Sequence, residues 1–114
     1  MAENRLEEVL EEIAKAAEKD FERVEPTVAL KMQATVEGCF ARSGENADRF
    51  ATCMNDSQKK LQETIDGLRM KQFFLNNSVL RCLQKKADVE KCKNEGTTLL
   101  KSMIDNFFKT VEKI

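Results

Sequence analysis

The sequence predicts an all-α protein, an antiparallel helical bundle, on three observations. Apolar residues recur three and four apart along nearly the whole chain, the spacing that lines one face of a helix. The apolar set is Leu, Ile, Val, Met, Phe and Ala without tryptophan or tyrosine, and one proline and four glycines leave few helix breakers. Two short stretches, "SGENAD" and "KKAD", carry the chemistry of a tight turn between helices. No strand pattern, long linker or low-complexity tract intervenes. With 114 residues the chain reads as one domain, 1–114, large enough for a modest core.

Each element has its own justification. Leu6, Val9, Leu10, Ile13, Ala17, Phe21 and Val24 make one stripe, which predicts a first helix over 3–25. Pro26 lacks an N–H, clashes with the preceding turn and disfavours α geometry at Glu25, so it is expected to break that helix. The stripe restarts at Val28, Met32, Val36, Cys39 and Phe40, predicting a helix over 27–43 with Pro26 tolerated in its first turn. Gly44 suits the left-handed residue that closes this helix, and Asn46 can cap the next. Phe50, Met54, Ser57, Leu61, Ile65, Leu68, Gln72, Leu75, Val79 and Leu83 then define a long central helix over 47–87. Gly67 costs it about 1 kcal/mol relative to alanine, too little to break so consistent a pattern. Lys85 and Lys86 favour its C-terminus, and Asp88 is placed to cap a last helix over 89–113. That helix carries Val89, Cys92, Gly96, Leu99, Leu100, Met103, Ile104, Phe107, Phe108 and Val111.

Composition excludes several functions. A net charge of −1 offers no basic field to gather phosphates, which argues against nucleic acid. No uncharged stretch approaches the roughly eighteen apolar residues of a membrane span. The acidic start, "MAENRLEEVLEE", has neither the basic end and apolar run of a secretory signal nor the Arg-rich character of a transit peptide. With no histidine, the common general base, the common zinc ligand and every histidine-dependent triad are missing. There is no Gly-rich phosphate loop, H-E-x-x-H or G-x-S-x-G. Asn55 and Asp56 stand near the Cys53 thiol, but nothing there would make it a reactive thiolate. No catalytic residue, metal, cofactor or small-molecule substrate is expected.

The four cysteines are placed with regularity. Cys39 and Cys53 stand about equally far from the first turn, and Cys82 and Cys92 from the second. Facing antiparallel helices bring Cα atoms within the span a disulfide tolerates, so Cys39–Cys53 and Cys82–Cys92 could each clip one hairpin. Each bond would close a loop of about ten to fifteen residues, for which chain entropy gives roughly 3 kcal/mol. Reduced thiols buried in a helical core are the bland alternative. A zinc site of four cysteines is a third, though it lacks the closely spaced pairs such sites use. Pairing across hairpins, such as Cys53 with Cys82, is excluded because the central helix holds them roughly 43 Å apart.

"KMQATVEGCFARS", an amphipathic helix before it, and "CMNDS" fourteen positions on resemble the twin C-x3-C hairpins of the small mitochondrial Tim chaperones. They are more similar still to the family with sequence similarity 136, which carries a "KMQ" before its first cysteine and a long helix between its second and third motifs. The resemblance covers roughly residues 20–110. Here only the first cysteine of each motif is present, in "CFARS", "CMNDS", "CLQKK" and "CKNEG", with Ser43, Ser57, Lys86 and Gly96 in the second positions. The family's pairing would set Cys39 against Ser57 and Cys53 against Ser43, leaving no bond. Either the hairpin register is shifted by about one turn, giving Cys39–Cys53, or the thiols are reduced. The resemblance implies an all-helical, non-enzymatic protein of the mitochondrial intermembrane space, imported without a presequence.

Two phenylalanine pairs, in "MKQFFLNN" and "MIDNFF", bear on partners. Neighbours on a helix differ by about 100°, so one narrow stripe cannot bury both members. Either the bundle wraps each helix on two sides, or one ring of each pair faces another chain; Phe73 and Phe108 are the candidate partner contacts. The functional expectation is an accessory structural subunit bound to a large mitochondrial membrane assembly, such as a respiratory-chain or ATP synthase complex. A small-Tim-like chaperone for apolar segments and a cytoplasmic helical adaptor with reduced thiols are the alternatives.

Overall fold

The computed structural model describes residues 2–85 and 88–114, with side chains from residue 5 onward. Five helices follow in order: α1 (Ala2–Ala16), α2 (Glu18–Glu22), α3 (Val24–Ser43), α4 (Ala47–Lys85) and α5 (Val89–Lys113). There is no strand among the described residues. The first three helices run one way, α4 returns and α5 runs alongside the first three, giving an antiparallel bundle 63 × 20 × 19 Å in extent. At 1.5 Å per residue the 39 residues of α4 measure roughly 58 Å, so that helix is the molecule's spine. The expected end of this helix at residue 87, with Lys86, lies outside the described residues.

Pro26 does not break the first helix where the sequence suggested. The interruptions fall at Ala17 (φ −103°, ψ 7°) and at Arg23 (φ −84°, ψ −14°), and Pro26 lies inside the first turn of α3. Two facts explain this. The opening N–H groups of a helix have no partner within it, so proline gives up nothing there. The first full-turn bond, from the Thr27 N–H to the Arg23 carbonyl, begins just past the ring. Arg23 is also where the chain tightens, its N–H donating to the Asp20 carbonyl three residues back rather than four. Hydrogen bonding is otherwise kept through the Ala17 kink, with Ala17 N–H on the Ile13 carbonyl and Phe21 N–H on that of Ala17.

Both turns use the expected chemistry. Gly44 has φ 58°, a backbone state glycine adopts without a Cβ penalty, and the Asn46 N–H closes the turn on the Ser43 carbonyl at 3.0 Å. The Asn46 side chain then accepts from the Arg49 N–H at 3.1 Å, capping α4. Asp88 caps α5 in the same way through the Lys91 N–H, also at 3.1 Å.

The core lies where three helices meet. Val9, Ile13 and Ala17 of α1 pack with Leu75 and Val79 of α4 and with Leu100, Met103 and Ile104 of α5. A smaller cluster of Leu61, Phe107 and Val111 continues it towards the end of α5. Gly96 permits the closest approach: a Cβ built there would stand 2.6 Å from Ile13 Cδ1 and 3.0 Å from Val79 Cγ2.

Candidate functional site

The hairpin clips come first, because they fix everything built on them. Cys39 and Cys53 form one disulfide with Cα atoms 5.6 Å apart, and Cys82 and Cys92 the other with Cα atoms 5.7 Å apart. Each bond ties the last turns of one helix to the first turns of the next, just above a capped turn. Cys39 and Cys92 are fully buried. With both pairs bonded, no thiol is left for the reduced-core or four-cysteine zinc alternatives. The first pair sits one helical turn out of the register in which Cys39 would meet Ser57. Ser43 is instead buried, its hydroxyl donating to the Phe40 carbonyl of its own helix at 3.2 Å.

The helices are of unequal reach. Ile114, just after α5, meets Met32, Met54 and Leu61 at a shared cavity, which marks the level to which α5 (Val89–Lys113) reaches along the bundle. Beyond that level α3 and α4 continue as a two-helix arm, closed at its tip by the turn and clipped by Cys39–Cys53. An arm of two helices cannot enclose its apolar side chains. Met32, Val36 and Phe40, spaced four apart on α3, are exposed, and so is Leu30. The sequence stripe had Met32, Val36 and Phe40 facing the core; the missing third helix explains the difference. Phe40 is 67% exposed and meets the edge of Phe50 across the hairpin, with ring centroids 6.2 Å apart.

A second apolar face lies at mid-length on α4. Met70, Phe73 and Phe74 are 66%, 64% and 62% exposed. Spaced i, i+3 and i+4, they share one side of the helix, roughly opposite Leu68, Leu75 and Val79, which face the core. Phe73 is therefore presented to solvent, and Phe74 and Met70 join it. Their spacing was the available signal, obscured by treating each phenylalanine pair as one ring in and one ring out.

The other pair behaves differently. Phe107 is buried and Phe108 half-buried, packed against both core clusters. The two rings meet edge to face at 5.8 Å, and the Arg23 guanidinium lies 5.0 Å from the Phe108 centroid. The bundle wraps α5 on two sides, so Phe108 is occupied by its own chain and is not a free partner contact.

A recess of about 560 Å³ adjoins the first disulfide and is lined by Arg42, Arg49, Asp48 and Asp56 among others. Two cations face two anions, which leaves no net field for a charged ligand. Among the described residues no group of three or more Cys, Asp or Glu side chains is placed to hold a metal ion, and no helix is long and apolar enough to cross a membrane. Compared with models of protein families, with curated proteins and with solved structures, the chain matches none.

Proposed function

We propose that this is a non-enzymatic helical subunit of the mitochondrial intermembrane space, clamped by its hairpin arm to a large membrane assembly. The observation that carries the reading is the arm itself. A disulfide-clipped pair of helices extends past the third helix and holds Val36 and Phe40 in water, with Met32 exposed at its base. Apolar surface of this kind gains most when another protein covers it, at roughly 25 cal/mol per Å². The clip makes the arm rigid beforehand, which lowers the ordering cost of binding. Two disulfides are compatible with an oxidising compartment. The resemblance in "KMQATVEGCFARS" and "CMNDS" to the twin C-x3-C families supports the intermembrane space in particular.

The same exposed arm favours one competing reading, a small-Tim-like chaperone that shields apolar segments in transit. Native gel migration of the endogenous protein separates the two. Co-migration with a very large membrane complex is expected, and Val36→Ser with Phe40→Ser should release the protein into the soluble fraction at unchanged helical content. A small soluble oligomer with no large form would favour the chaperone.

A further inference from the structure

The Met70, Phe73 and Phe74 face lies on a different part of the molecule from the arm, and its surroundings identify its occupant. We propose that it is a self-association surface, on which two copies of this chain pair α4 against α4, antiparallel, about a twofold axis between Phe73 and Phe74. The placement of charge carries the proposal. Asp66 stands seven residues before Phe73 and Arg81 seven residues after Phe74, and both are exposed. Seven residues are about two helical turns, so each charge lies roughly 10 Å beyond the patch on the same outward side of the helix.

A twofold axis reverses the second helix. Asp66 of each copy then faces Arg81 of the other, and this happens twice. Within the charged ends, Phe73 falls against Phe74 of the second copy, and Met70 against Asn77. This is the self-complementary pattern an isologous interface requires. A parallel pairing would set Asp66 on Asp66 and Arg81 on Arg81, so the charges select against it. The Gln62 amide donates to Asp66 Oδ1 at 3.0 Å, which leaves the second carboxylate oxygen to a cation across the interface.

The contact is small. Three large side chains from each copy bury on the order of 800 Å² in total, below the size of stable complexes, so the pairing is reversible, with a dissociation constant of about 10 µM to 1 mM.

Sedimentation velocity on the oxidised full chain, from about 10 µM to about 1 mM, tests it. The wild type should move from monomer to dimer across that range. Asp66→Arg and Arg81→Asp, each turning two attractive pairs into repulsive ones, should each weaken the dimer about tenfold or more. An equimolar mixture of the two variants, or both changes in one chain, should restore it, because every pair is again opposite in sign. Phe73→Ser with Phe74→Ser should leave a monomer throughout. All four positions are exposed, so circular dichroism and melting should be unchanged and a folding defect is distinguishable. A wild type still monomeric at 1 mM, a dimer indifferent to the charge reversals, or a mixture that fails to restore it overturns the proposal. The arm variants Val36→Ser and Phe40→Ser should leave this equilibrium untouched, which separates it from the subunit reading.

Discussion

Thermal unfolding of the Cys82→Ala/Cys92→Ala double variant is expected to fall about 10–15 °C below that of the oxidised wild type, and that of Cys39→Ala/Cys53→Ala to fall by less, because its arm opens first. The bonds close loops with sequence separations of 14 and 10. Chain entropy assigns such loops roughly 3 kcal/mol, and 1 kcal/mol moves the midpoint of a chain this size by about 4–5 °C. The two should differ in kind. Cys82–Cys92 lies where α4 and α5 join the three-helix core, so its loss lowers global stability. Cys39–Cys53 closes an arm with little apolar packing of its own. Its loss should first raise amide exchange across residues 36–54, while the core around Ile104 stays protected. Circular dichroism and hydrogen exchange check both, and shifts below about 3 °C would mean that packing alone holds the hairpins.

Gly96→Leu is expected to destabilise the bundle by about 3 kcal/mol or more, read as a lower urea midpoint. Even a Cβ there meets Ile13 and Val79 at 2.6 and 3.0 Å, and three further carbons must displace α5 from α1. Gly96→Ala is subtler. Alanine gains up to about 1 kcal/mol of helix propensity, which offsets the push on the Ile13 δ-methyl. Removing that methyl with Ile13→Val should make Gly96→Ala more favourable than it is in the wild type, a coupling of about 1 kcal/mol. Gly67, with nothing within 4 Å of its Cβ direction, supplies the control: Gly67→Ala should stabilise the protein outright by up to about 1 kcal/mol.

Where the sequence was decisive, short-range chemistry was sufficient. The ten-residue stripe from Phe50 to Leu83 is buried or half-buried throughout, and Gly44, Asn46 and Asp88 end or begin helices as their side chains dictate. Counting outward from those turns placed the cysteine pairs to face each other but left bonded and reduced thiols open, and the structure has both bonds. Misreadings arose where an outcome depends on what stands beyond a helix. Pro26 is forbidden inside a helix and harmless in its first turn, so its effect depends on a kink at Arg23 that no local signal marks. Met32, Val36 and Phe40 carry a core pattern, but their environment is set by where α5 stops. α5 spans 25 residues against 39 for α4, so it lies along only part of the central helix. Phe108 looked outward on a single stripe, yet α5 is covered on two sides, and its ring packs against both clusters with Arg23 over its face.

If, as proposed, the protein resides in an oxidising compartment, both hairpin disulfides are already formed in the cell. Mass mapping of thiols in the endogenous protein, alkylated at the moment cells are lysed, checks this. No alkylated cysteine is expected, but two linked peptide pairs, one joining Cys39 to Cys53 and one joining Cys82 to Cys92. Four alkylated thiols would contradict it.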